Sequence, residues 1–366
     1  SLNAVAPVQA QDSYYVKAHN AVAARASERG TGHAKNVILF VGDGMGISTI
    51  TAARIYAGQS KGLDGESYQL AMEKLPYSAF SKTYTHDSQV ADSAPTAVAM
   101  TTGVKSYNGS LGVTQAANIK DCASAKGNGT TSLWEIAEDA GLATGVISTA
   151  RVTHATPAAT YAETTERDWE SDADVSAAGK AAGCVDIASQ FTAWQGAHGN
   201  GFDVVLSGGR SGFLPNTMTD REYANQKGRR LDGRNLMDEW KAAAPNRTTA
   251  IDRAGFQAFD WNSDGQILAL FEPSHMQYEL DRARDGKGEP SITEMTKAAI
   301  TRLSRNKNGY VLMVEGGRVD HGLHAGDAQR ALGDAAALDE AIAAAVAATD
   351  PKDTLIIVTA DHSHTL

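Results

Sequence analysis

Apolar residues along the chain fall into short uninterrupted runs separated by stretches of helical spacing. Asn36-Val37-Ile38-Leu39-Phe40-Val41-Gly42 has no polar alternation, which predicts a strand buried on both faces. It breaks at Gly42-Asp43-Gly44-Met45-Gly46, and Ile47 to Tyr56 returns to helical spacing. The unit recurs. Ser132 to Gly141 reads as a helix closed by a glycine C-cap, and it feeds a strand over 143–149. Further strands are expected over 202–206, 310–314 and 353–360, with helices over 295–303 and, rich in alanine, about 326–348. Strands alternating with helices imply an α/β fold, a three-layer sandwich with a mainly parallel central sheet flanked by helices. Residues 11–29 carry Tyr14, Tyr15, Ala18 and Val22 at helical spacing, so residues 1–30 form an N-terminal helical segment ahead of one domain over 31–366. Residues 211–294 are less regular and richer in charge, and read as an insertion at the sheet edge.

Composition narrows the function. The 366 residues carry 33 Lys+Arg against 43 Asp+Glu, a net charge of −10. That balance argues against a nucleic-acid binder and against a polybasic membrane anchor. No apolar run reaches the length of a transmembrane helix. The opening Ser1-Leu2-Asn3-Ala4 shows no intact signal peptide, as in a mature secreted chain. Cys122 and Cys184 are too few for a disulfide scaffold and lack zinc-knuckle spacing. One bridge would close a roughly 60-residue loop and stabilise by about 4 kcal/mol; two free buried thiols are the equal alternative.

The chemically distinctive residues collect where strands end. Asp43 follows the first strand; Arg151, His154 and Thr156 follow the strand at 143–149; Glu315 and Asp320 follow the strand at 310–314; Asp361 and His362 follow the last. The carboxyl ends of the strands form the ligand crevice in such sheets. Asp320 and His324 stand at i and i+4, on one face if helical, as paired metal ligands require. Asp361-His362-Ser363-His364 supplies a second carboxylate–imidazole pair, a donor set that suits Zn²⁺. Asp43, Thr156 and Glu315 are oxygen donors, which suit Mg²⁺. So many buried negative charges require cations. A single such pair would be an ordinary solvated helix face, but two pairs plus two further carboxylates at one edge outweigh that reading.

Asp92-Ser93 precedes a helical run, placing Ser93 at a helix N-terminus that favours anions. Alone, these two residues would merely cap the helix. Arg167 could offer a two-pronged guanidinium to a phosphoryl group, although a lone arginine is more often a surface residue. Two other motifs fail. Gly42-Asp43-Gly44-Met45-Gly46-Ile47 imitates a dinucleotide loop but has Ile47 where glycine is needed, and Asp43 would repel a pyrophosphate. No Gly-x-Ser-x-Gly elbow occurs.

With these residues in place, the chain resembles the alkaline phosphatases from about residue 35 onward. The motifs are Val37 to Gly46, Asp92-Ser93, Thr153-His154-Ala155-Thr156-Pro157, Val314 to His324, and Thr359 to His364. Arg167-Asp168-Trp169, Gly183-Cys184 and Leu231-Asp232-Gly233 resemble the animal branch. The resemblance implies that Ser93 is the phosphorylated nucleophile and that Arg167 holds the phosphate. It assigns Asp320 and His324 to one Zn²⁺, and Asp43, Asp361 and His362 to the other. Asp43, Thr156 and Glu315 are implied ligands of Mg²⁺. His154, Asp92, His321 and His364 become supporting residues around the metals, His154 acting through a water. The resemblance further implies a Cys122–Cys184 disulfide, and a fourth, calcium site from Glu222, the Phe271 carbonyl, Glu272 and Glu289. Family members continue past this point and supply a third histidine to the first Zn²⁺. The native protein is therefore expected to be longer than the 366 residues here, with His364 as the alternative third ligand.

The implied activity is hydrolysis of phosphate monoesters to inorganic phosphate through a phosphoserine intermediate, using two Zn²⁺ and one Mg²⁺ and favoured at alkaline pH. A homodimer and a periplasmic or extracellular location follow from the same resemblance. A sulfatase of the superfamily would carry arginine where Ala97 stands, and a phosphodiesterase usually has threonine in place of Ser93. A rival of another class is an inactive or fragmentary metal-binding relative.

Overall fold

The computed structural model describes residues 7–26 and 32–365. The readings placed on Ser1-Leu2-Asn3-Ala4 and on the helix beyond Ala26 lie outside those residues. The strands are β1 (Asn36–Gly42), β2 (Ala143–Arg151), β3 (Val204–Gly208), β4 (Arg247–Ala250), β5 (Gln266–Leu270), β6 (Tyr310–Gly316) and β7 (Thr354–Ala360). They form one seven-stranded sheet in the order β4-β5-β3-β2-β6-β1-β7. Every pairing is parallel; Phe40 of β1 lies opposite Val314 of β6 on one side and Val358 of β7 on the other.

Alternation along each central strand divides the apolar residues between two cores. Leu39 and Val41 of β1, Val146 of β2 and Met313 of β6 enter one; Ile38, Phe40, Ile147 and Leu312 enter the other. Helix α1 (Ser13–Ala26) precedes the sheet. The first core is covered by helix α3 (Ser93–Thr102) and by the helices Leu133–Asp139 and Ile187–Trp194. The second is covered by α2 (Ile47–Ser60) and by the helices Ile292–Leu303 and Ala328–Ala348. Two helix starts carry the reciprocal serine–glutamate cap: Ser132 with Glu135 and Ser291 with Glu294. At β7 only Ile356, Val358 and Ala360 pack against a core, while Leu355 and Ile357 are exposed.

Two strands escaped the hydrophobic pattern, and both lie within 211–294. That stretch is irregular, yet it supplies β4 and β5 at the sheet margin. Arg247-Thr248-Thr249-Ala250 is too short and polar to register as a strand, and only its pairing with β5 defines it. No helix among the described residues is long and apolar enough to cross a membrane.

Candidate metal centre

Four neighbouring strands, β2, β6, β1 and β7, end side by side, and their carboxyl ends carry the expected donors. Asp43 and Asp361 follow β1 and β7, Glu315 closes β6, and Asp320 and His324 lie on the short helix Arg318–His324 that follows it. The glycine-rich turn after β1 lets the Gly44 amide, at φ +65°, donate to Asp361 Oδ1 at 2.9 Å. This bond ties the first and last strand ends together.

His362 Nε2 is the focus of one donor group. It lies 3.4 Å from Asp43 Oδ1 and 3.5 Å from Asp361 Oδ2. Ser93 Oγ stands 3.1 Å from the same nitrogen and donates to Asp43 Oδ1 at 3.2 Å. Ser93 opens α3, and Asp92 caps that helix by accepting from the Ala94 amide at 2.7 Å. Asp92 also holds Arg167, whose Nη1 donates to it at 2.8 Å, so the guanidinium is anchored to the residue beside Ser93.

A second group consists of buried oxygens with no partner. Asp43 Oδ2, Thr156 Oγ1 and Glu315 Oε1 are all buried without a hydrogen bond. They belong to the three residues that the resemblance assigns to Mg²⁺. Orphaned buried acceptors are destabilising unless a cation or water answers them, so this donor set fits a hard cation. Burial, reinforced by Asp361, Asp320 and Glu315, pushes the Asp43 carboxyl well above the carboxylate range. Burial pushes Glu315 up to about 7 although the Ser148 hydroxyl donates to it. Metal-free, the site resists its own charge.

Asp320, His324 and His364 form a third group, with ligand atoms all within 4.8 Å of one another. Asp320 is buried, and its two oxygens face His364 Nε2 at 2.5 Å and His324 Nε2 at 3.5 Å.

The remaining expectations divide. His154 accepts from Arg167 Nη2 at 3.1 Å and so supports the arginine. Burial, then the charges of Arg167 and Arg151, hold its pKa well below the usual range. His321 turns to His275, with ring centroids 4.1 Å apart, and accepts from Arg318 at 3.1 Å. Burial and Arg318 lower its pKa to about 4. The fourth-cation set changes. Arg210 is fully buried and satisfies itself on Asp220, Glu222 and the Phe271 carbonyl, so that carbonyl points at a guanidinium. Asp285 joins Glu222 and Glu272 instead. Asp285 Oδ2 and Glu289 Oε2 are buried without partners, which still suits a cation nearby.

Residues missed from the sequence include Thr96, whose hydroxyl donates to Asp361 Oδ2 at 3.2 Å, and Ser148 on β2. Ser148 had a signal, being polar in an otherwise apolar strand; His275 and Asp285 had none. Cys122 and Cys184 form a disulfide across a sequence separation of 62, with Cα atoms 5.6 Å apart.

An all-parallel sheet whose strand ends gather carboxylates, imidazoles and hydroxyls defines an α/β protein with a donor set that fits cations. Residues 34–366 match the family model for alkaline phosphatase, and the chain belongs to the alkaline phosphatase family. It is 44% identical over 349 residues to the tissue-nonspecific alkaline phosphatase isozyme of Felis catus, covering 93% of this chain and 65% of that one. It is 44% identical over 341 residues to the Homo sapiens isozyme, covering 91% and 64%. The chain thus spans just under two thirds of these relatives' length. Among solved structures, Thermus thermophilus alkaline phosphatase superposes with a TM-score of 0.71 at 31% identity, over 91% of this chain and 60% of that one.

Proposed function

We propose that the protein is a metal-dependent phosphomonoesterase. The observation that carries this reading is the meeting of Ser93 Oγ, Asp43 and His362 Nε2 beside three orphaned buried oxygens, Asp43 Oδ2, Thr156 Oγ1 and Glu315 Oε1. Asp320 and His324 would hold one Zn²⁺; Asp43, Asp361 and His362 the other; Asp43, Thr156 and Glu315 a Mg²⁺. When bound, these ions supply countercharge for the carboxylates and for the phosphoryl group, and lower the pKa of hydroxyl groups near them.

The chain's own residues do the rest. Ser93 Oγ attacks phosphorus; an O–P bond forms as the bond to the leaving alcohol breaks, giving a phosphoserine. The hydroxyl proton is already shared with Asp43 Oδ1 at 3.2 Å. Water then attacks the phosphoserine, releasing inorganic phosphate and restoring Ser93. Arg167, fixed by Asp92 and His154, would stabilise the equatorial oxygens, where most stabilisation arises in phosphoryl transfer. Since the nucleophiles must be deprotonated, the rate should rise toward alkaline pH.

The disulfide supports an oxidising location, periplasmic or extracellular. The family resemblance supports a homodimer. A calcium ion near Glu222, Glu272, Asp285 and Glu289 fits the orphaned oxygens of Asp285 and Glu289. The test is phosphate release from a simple aryl phosphate at alkaline pH. Release should stop with a chelator and return when Zn²⁺ and Mg²⁺ are added back. No release from the metal-replete protein would sink the proposal.

A further inference from the structure

Asp92 serves two neighbours with one carboxylate. Its Oδ1 accepts from the Ala94 amide at 2.7 Å, which starts α3 with Ser93 as the first residue, and from Arg167 Nη1 at 2.8 Å. The spacing between the Ser93 hydroxyl and the guanidinium therefore depends on how this side chain is held. The chain just before it supplies no regular structure, because residues 87–92 lie in neither helix nor strand.

The turn at 107–110 holds it instead. The Ser110 amide donates to the Tyr107 carbonyl at 3.1 Å, and Gly109 sits at φ +85°, as the third residue of a type II turn requires. The Gly109 amide donates to Asp92 Oδ2, and the Gly109 carbonyl accepts from the Arg167 amide at 2.7 Å. Asp92, Arg167 and Gly109 close a ring of three hydrogen bonds. Leu111 and Thr164, which exchange amide–carbonyl bonds at 2.8 Å, anchor that ring to the chain leading to Arg167. Asn108 acts on the other side. Its Oδ1 accepts from the Asp92 amide at 3.3 Å, its Nδ2 donates to the Val90 carbonyl at 3.1 Å, and its own amide donates to Asp87 Oδ1 at 3.0 Å. The turn needs glycine at 109 but no particular side chain at 108. The side-chain bonds of Asn108 reach back 16 and 18 residues, to the segment that delivers Ser93.

We propose that Asn108 is a positioning residue, which sets the spacing of Ser93 and Arg167 by holding Asp92. The proposal rests on the phosphomonoesterase reading above, in which Ser93 attacks the phosphoryl group and Arg167 holds it. Asn108 acts through Asp92 and needs no contact with substrate. The competing role is conformational only: Asn108 would order residues 87–92 without changing how phosphate is held. Its loss would then lower stability and leave the affinity of the folded enzyme unchanged.

The test is steady-state kinetics of the metal-replete protein on an aryl phosphate, with inorganic phosphate as competitive inhibitor. Wild type, Asn108→Ala, Arg167→Ala and the double variant are compared. Asn108→Ala should raise KM and the inhibition constant for phosphate together by about tenfold, with zinc content at the wild-type level, because a displaced guanidinium holds phosphate less well. In the Arg167→Ala background the same substitution should change either constant by no more than about twofold, since the group it positions is gone. Asn108→Ser, whose side chain is too short to bridge Asp92 and Val90, should reproduce the alanine result and replaces it if the alanine variant does not fold. If the folded variant keeps its phosphate constant within about twofold of wild type, or loses the same factor with and without Arg167, the proposal fails while the phosphomonoesterase reading stands. If wild type releases no phosphate, or Arg167→Ala leaves phosphate inhibition unchanged, the reading of the site and the proposal fall together.

Discussion

The two ends of the sheet treat buried charge in opposite ways. At the amino ends of the strands, two buried arginines are answered within the protein. Asp203, just before β3, accepts from Arg302 at 2.8 Å and from the Thr144 amide at 3.2 Å. Arg302 Nε donates to the Gly265 carbonyl at 2.6 Å. Arg247 spends its donors on Gln266 and on the carbonyls of Trp240, Gln195 and Asn200. At the carboxyl ends, among the described residues, the ion-pair partners of Asp43, Asp320 and Asp361 are histidines, beside neutral donors such as Ser93, Thr96 and the Gly44 amide, and Glu315 meets a hydroxyl. The arginines of one edge are satisfied as folded, whereas the acids of the other have no arginine or lysine as an ion-pair partner among the described residues. The first edge holds the sheet, and the second gathers carboxylates that repel one another when no cation is present.

Substitutions at either end should separate these roles. The largest effect is expected at Ser93. Ser93→Ala should lower turnover of an aryl phosphate by about 10⁴-fold or more while zinc content stays at the wild-type level. A variant that keeps most of its rate would reduce Ser93 to the first residue of α3. At the opposite edge, Arg302→Met leaves Asp203 buried without its cation and should destabilise by about 3–5 kcal/mol in urea unfolding. Zinc content and turnover of the folded fraction should not change; a fall in either would mean that the two edges are coupled.

Acidity gives a subtler contrast. Burial pushes the Glu138 carboxyl, which accepts from the Thr144 hydroxyl, up to about 8 from 4.5. A raised carboxyl keeps its proton in the fold after the unfolded chain has lost it. Wild-type stability should therefore fall as pH rises from about 4.5 to about 8, and stay lower above that. Glu138→Gln should match wild type at the acid end and gain on the order of 1–3 kcal/mol by about pH 9, with chelator present throughout. A difference that does not vary with pH would remove the titration argument. The smallest effect is expected at Glu315. Without metal, Glu315→Gln should stabilise by about 1 kcal/mol, because it relieves repulsion from Asp361 and Asp320 while Ser148 keeps its acceptor. With Mg²⁺ added, the ranking should reverse; a variant less stable than wild type even in chelator would count against the contrast between the edges.

Much of the carboxyl-end edge was legible in the sequence, because strands such as Val37-Ile38-Leu39-Phe40-Val41 are apolar throughout and their ends announce themselves. Asp43, Glu315, Asp320 and Asp361 could each be placed at a strand end before any pairing was known. Strand order could not be read, so that β2, β6, β1 and β7 are neighbours emerged only from the fold. β4 was hidden because its residues are polar and its identity lies in its partner. β5 was readable, since Ile267-Leu268-Ala269-Leu270 follows the turn Asn262-Ser263-Asp264-Gly265, but the charged surroundings masked it. His275 reaches His154 and His321 from an irregular loop, and nothing periodic marks such a contact. The Phe271 carbonyl was assigned to a cation without allowing for Arg210, whose side chain arrives from outside any motif.

The place of β1 has a consequence for how the chain is made. Its neighbours are β6 and β7, so the strand beginning at Asn36 has no hydrogen-bonded partner before Tyr310 is synthesised. At about 5–20 residues per second, that is a wait of roughly 15–55 s for one of the most apolar segments in the molecule. Such long-range pairing is slow and leaves the waiting strand prone to aggregation, so a holding chaperone should bind the nascent chain at Val37–Val41. The Gly44–Asp361 bond spans 317 residues, so the strand ends that carry Asp43 and Asp361 meet only once β7 has been made.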